Sequence, residues 1–155
     1  MRKIKKIIGY CLLLFGCFCL ISCDSKKEGI DLTCSKDLTN ENGLSTNMST
    51  IVNYDGDTIN TVTLKWFVTY DPNEYTQDEI EELVLSTEST YKKTYGNNNN
   101  IRITSSKFEE NKYLVSIVID YQKLSDNDKK AYGFDFPDGL EKSKKDFEDA
   151  GYTCK

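Results

Sequence analysis

The sequence predicts an α+β domain: an antiparallel four-stranded sheet with helices packed on one face, its elements in the order β-β-α-β-β-α. Three observations carry that expectation. Two stretches, Thr58–Tyr70 and Tyr113–Tyr121, alternate side chains with the period of a strand. A third, Thr76–Tyr95, repeats its apolar residues at helical spacing. Turn residues separate these runs at short intervals.

The elements follow in order. Leu44–Tyr54 is rich in Ser, Thr, Ile and Val, and Asp55-Gly56 beyond it is a hairpin signal. In Thr58–Tyr70, Val62, Leu64, Trp66, Val68 and Tyr70 share one face; Thr61, Thr63, Lys65 and Thr69 share the other, with Phe67 the exception. Asp71-Pro72-Asn73 ends that strand. Thr76 with Glu79 forms a capping box for a helix whose stripe is Ile80, Leu83, Val84, Tyr91 and Tyr95, with Glu81, Glu82 and Glu88 off it. Gly96 stops this helix, and Asn97 to Asn100 lead into strands Ile101–Phe108 and Tyr113–Tyr121. Asp126–Tyr132 holds a short helical turn. Asp138 with Glu141 offers a second capping box for a helix over Leu140–Ala150, with Gly151 as its stop.

Ahead of the domain, Arg2, Lys3, Lys5 and Lys6 precede an apolar run from Ile7 to Ile21. A bilayer-spanning helix needs about 20 apolar residues, so this run suits the core of an export signal. It ends in Leu20-Ile21-Ser22-Cys23, which resembles the bacterial lipobox. That resemblance implies cleavage before Cys23, lipid on its sulfur and an acylated new N-terminus, with each buried methylene contributing about 0.8 kcal/mol of anchoring. An ordinary secretory signal with a chance cysteine is the competing reading. The expected division is a lipoprotein signal over 1–22, lipidated Cys23 and tether over 23–33, and one extracytoplasmic domain over 34–155. Lys outnumbers Arg 18 to 2, a bias that points to a low-GC Gram-positive host.

Composition excludes several chemistries. Without its first 22 residues the chain keeps 16 Lys and Arg against 25 Asp and Glu, and such an acidic domain repels nucleic acid. There is no histidine, which removes Ser-His-Asp and Cys-His catalysis and disfavours a zinc site. No metal or cofactor is expected. Of six cysteines, Cys11, Cys17 and Cys19 leave with the signal and Cys23 is spent on lipid. Cys34 and Cys154 remain, an even pair that outside the cytoplasm implies a disulfide, with free thiols or a redox pair as alternatives.

Three constellations have a functional and a bland reading. Asn53, Asp55 and Asp57 alternate oxygen-bearing groups but lack the loop of an EF-hand, and read as a polar hairpin tip. Asp135, Asp138 and Glu141 cluster at a helix start, where carboxylates suit the helix dipole; paired acid/base work is the alternative. Nine tyrosines of the exported part, with Trp66 and the phenylalanines, are either half-buried sheet residues or an exposed patch for a sugar or a protein.

The motifs "TQDEIEELV", "IVIDYQKL" and "LEKSKKDFEDAGY", after a lipobox and a Thr-rich hairpin, resemble the YehR-like family of small bacterial lipoproteins over about Leu44–Tyr152. The most specific part is the last helix, with Leu140, Lys142, Ser143, Phe147, Gly151 and Tyr152; the Cys34–Cys154 pair is not part of that pattern. The resemblance implies an antiparallel sheet with packed helices and a membrane-anchored location, and it implies no reaction. The expected function is therefore non-enzymatic: a lipid-anchored domain on the extracytoplasmic face of the cell membrane, binding an envelope protein, glycan or other ligand. A carboxylate-based envelope hydrolase is the alternative. A third reading is an inhibitor-like domain acting on a foreign enzyme through the Gly133–Pro137 loop.

Overall fold

The computed structural model describes residues 29–41 and 43–155. Cys23 and segment 1–22 lie outside the described residues. The elements are β1 (Ile30–Glu41), β2 (Leu44–Asp55), β3 (Thr58–Tyr70), α1 (Gln77–Tyr95), β4 (Ile101–Glu109) and β5 (Lys112–Asp120). A 3-10 turn at Tyr121–Lys123, α2 (Asp126–Tyr132), α3 (Leu140–Asp149) and the two-residue β6 (Thr153–Cys154) complete the order.

Among the described residues the sheet has six antiparallel strands in the order β4-β5-β3-β2-β1-β6. This corrects the four-stranded expectation and its β-β-α-β-β-α order, while the α+β class stands. The two added strands lie together at one edge. β1 begins at Ile30, inside the stretch assigned to the tether, and pairs along its length with β2. Its residues, IDLTCSKDLTNE, are mostly polar, and Leu32 and Cys34 are the ones it buries in the core.

Register places the apolar residues on one face. Leu32 pairs with Val52, Val52 with Val62, Val62 with Ile119, and Ile119 with Ile101. All five are buried, forming a continuous row across the strands. The helices pack on this face, α1 over β4 and β5 and α3 beside β1 and β6. Among the described residues the opposite face is bare: Thr61, Thr69, Arg102 and Thr104 are exposed, and Ile51, Phe67, Leu114 and Val118 are half-buried among them.

Local chemistry sets the helix ends. Thr76 Oγ1 accepts from the Glu79 N–H at 3.3 Å while Glu79 accepts from the Thr76 N–H at 2.8 Å, the reciprocal capping box expected there. The second box does not form. α3 is capped by Gly139, at φ 91°, with no side-chain bond, so Asp138 and Glu141 stay exposed. At its other end Gly151, at φ 85°, turns the chain so that Tyr152 N–H reaches Phe147 O at 3.0 Å. Lys36 Nζ donates to Ala150 O at 2.8 Å, placing a cation at the negative end of α3.

Candidate functional site

The core is divided. One cluster gathers Leu32, Val52, Val62, Ile119, Tyr121 and Phe134 toward α2 and α3. The other gathers Val68, Tyr70, Ile80, Val84, Tyr113 and Val115 under the first half of α1. Where the two meet, the helices leave part of the sheet uncovered, and a cleft of about 160 Å³ opens.

Its floor is Met48 of β2, Leu64 and Trp66 of β3, and Val115 and Ile117 of β5. Its wall is Tyr91 and Tyr95 of α1. Lys65 also borders it, although strand alternation turns its side chain toward the bare face. The two tyrosine rings stack, with centroids 6.2 Å apart and planes 16° from parallel. Tyr95 is braced edge-on by Tyr132 at 5.1 Å and leans on Phe134 at 5.3 Å. Burial pushes the Tyr95 hydroxyl above its usual pKa, and the neighbouring Tyr91 and Tyr132 add to this, so it stays neutral. Met48 is held from the other side, its sulfur 3.2 Å from the Tyr152 hydroxyl. Trp66 Nε1 is buried and has no hydrogen-bond partner among the described residues. The cleft is thus a braced apolar recess with no carboxylate in its lining.

A polar row lies on the far flank of α1, over β4. Glu81 accepts from the buried Tyr113 hydroxyl at 2.7 Å and from Gln77 Nε2 at 2.7 Å; Lys107 Nζ donates to Gln77 at 3.0 Å. Glu88 accepts from Ser105 Oγ and pairs with Lys92. The Tyr113 bond holds the Glu81 carboxyl below its usual range, and Lys92 does the same for Glu88. Burial, and then the Glu81 hydrogen bond, push the Tyr113 hydroxyl up. A group depressed in the folded state contributes stability above its unfolded pKa and loses it as pH falls through the folded one. The row therefore stabilises the fold above about pH 4.5 and fails below it. Tyr113 works in the opposite sense and weakens the fold as pH rises past 10. Tyr113→Phe is expected to lower the urea midpoint at neutral pH, with the difference from wild type closing as acid protonates Glu81. A constant difference down to acid pH would show that the bond does not set the Glu81 titration.

The other candidates are placed as follows. Cys34 and Cys154 face each other as partners of β1 and β6 and are joined, 120 positions apart in sequence. Thr33 and Lys155 exchange backbone bonds at 3.0 and 2.9 Å, so the cysteines occupy the adjacent non-hydrogen-bonded position, where side chains approach more closely. Asn53 is engaged with Asp31 and Asn60, and Asp55 and Asp57 are exposed at the β2–β3 tip. Asp135, Asp138 and Glu141 are exposed. Among the described residues no three His, Cys, Asp or Glu side chains are grouped to hold a metal ion. In the Gly133–Pro137 loop, Phe134 is buried and Phe136 packs between Tyr121 and Phe147. Tyr70, Tyr113 and Tyr121 are buried on the helix side rather than half-exposed. Among the described residues no helix is long and apolar enough to cross a membrane.

Reading the sequence placed Leu64 with Trp66 on one strand face and Tyr91 with Tyr95 on one helix stripe. It missed Met48, and it did not foresee a gap between them. The polar row was missed because Glu81 and Glu88 look like solvent-facing charges until β4 lies beside them.

No family model matches the chain, and no curated protein matches it. A solved NMR structure of a protein from Streptococcus pneumoniae TIGR4 is similar in fold, with a TM-score of 0.57 and 10% identity, covering 88% of this chain and 90% of that one. The fold is what the two share. The YehR-like resemblance rests on the sequence motifs alone.

Proposed function

We propose that this chain is a lipid-anchored extracytoplasmic binding module whose cleft receives an apolar side chain of an envelope protein. The observation that carries the reading is the lining: Met48, Leu64, Trp66, Tyr91, Tyr95, Val115 and Ile117 present apolar and aromatic surface. A cavity of about 150 Å³ accommodates one benzene ring, and the cleft is of that order, the size of a single anchoring residue at an interface. Bracing by Tyr132 and Phe134 pre-forms the recess and lowers the ordering cost of binding. The hydrolase reading has less support. A retaining or inverting glycosidase holds one carboxyl protonated by a raised pKa. The two half-buried carboxylates of α1, Glu81 and Glu88, are both shifted down. The basic start, the apolar run and Cys23 support the anchor.

Two measurements test the two halves of the proposal. Cys23→Ala is expected to remove the protein from the lipidated membrane fraction of its host; unchanged retention would overturn the anchor. Trp66 is the only tryptophan, so its fluorescence reports on the cleft directly. Titration with p-cresol, a ring probe, is expected to give a saturable shift that Val115→Phe, by filling the floor, abolishes. A linear response equal in both proteins would remove the cleft as a binding site.

A further inference from the structure

We infer that the free edge of β4 is a self-association surface, and that the partner it fits is a second copy of this chain, paired strand to strand about a two-fold axis at Ser105. The inference does not depend on what the cleft receives.

The backbone supplies the first argument. Asp120 N–H donates to Asn100 O at 2.9 Å, and the same register continues from the Ile101–Ile119 pair to the Lys107–Tyr113 pair. Hydrogen-bonded pairs alternate along an antiparallel ladder, so the even-numbered residues of β4 bond to β5. The N–H and C=O groups of Ile103, Ser105 and Lys107 therefore point off the sheet, where β4 is the terminal strand. Such a row is a template for another strand. The bulge after Lys107 lies outside this stretch.

The side chains are self-complementary about the same point, as an isologous contact requires. An antiparallel copy centred on Ser105 sets Ile103 opposite Lys107 on one face and Thr104 opposite Ser106 on the other. On the helix face, Glu81, Leu85, Glu88 and Lys92 follow at spacings of four, three and four, forming the flank of α1 that overlooks β4. Leu85 lies beside Ser105, Ser106 and Lys107 and is 60% exposed. The two-fold sets α1 antiparallel to its copy, with Leu85 against Leu85. It also sets Asp78 of one helix opposite Lys92 of the other, an attractive pair, and Glu82 opposite Glu88.

The test uses the chain from Asp24 to Lys155, which contains every element described and both core clusters. Sedimentation equilibrium is expected to show a reversible monomer–dimer equilibrium. Leu85→Asp should weaken it by about tenfold or more. Leu83→Asp, a control on the opposite flank of the same helix and already 39% exposed, should leave it unchanged. Amide exchange identifies the surface. The Ile103, Ser105 and Lys107 amides should become protected as concentration rises, while the helix amides keep their rates. A monomer at every concentration, equal weakening by both substitutions, or a dimer that leaves those three amides unprotected would each overturn the inference.

Discussion

Replacing both Cys34 and Cys154 by alanine is expected to lower the stability of the domain by about 4–5 kcal/mol. The bond spans 120 positions, so it removes much of the conformational freedom of the unfolded chain. The loss should appear mainly as a lower denaturant midpoint. The slope should rise slightly, because a denatured chain without the cross-link expands and exposes more surface. On the folded side the double substitution also releases β6, whose two residues pair only with Cys34 and Ser35. Two strand residues have little cohesion of their own, and the covalent link compensates. An unchanged midpoint for the double variant would mean that the β1–β6 contact holds without the bond.

The second large effect belongs to the centre of the sheet. Ile119 has no exposed surface and sits between Val62 and Ile101 in the buried row. Ile119→Ala leaves a cavity that neighbours on two strands and the overlying helical layer cannot close, at a cost of about 2–5 kcal/mol. Val118→Ala, one residue away on the bare face, should cost less than about 1 kcal/mol, since water already reaches that site. Unfolding curves of the two variants measure the difference between the faces. Equal losses would contradict a one-sided core.

The same asymmetry explains how much of the fold was legible beforehand. β2, β3, β4, β5 and α1 announce themselves because each buries one face against the core, which imposes period two or helical spacing on its residues. β1 carries its apolar contribution in Leu32 and Cys34, surrounded by Asp, Lys, Thr and Ser; its strand character comes from pairing with β2, a long-range event. β6 is too short to have a period. The second capping box failed for a local reason: the chain enters α3 at a positive φ on Gly139, and this leaves Asp138 outside the cap. Leu83, placed on the apolar stripe by spacing, is exposed because the helix turns Ile80 and Val84 to the sheet and leaves Leu83 to the side of them. A void is a property of four elements at once. Met48 lies among polar neighbours in β2, and nothing local marks it as part of the floor.

The placement of β1 beside β6 has a consequence for how the molecule wears. Chain ends are ordinarily where a domain frays and where proteases gain their first hold. Here the first and last strands of the described residues clasp each other, Thr33 to Lys155 through the backbone and Cys34 to Cys154 through sulfur. Each end is thereby the other's cover. Among the described residues, local opening is left to the exposed turns between the strands.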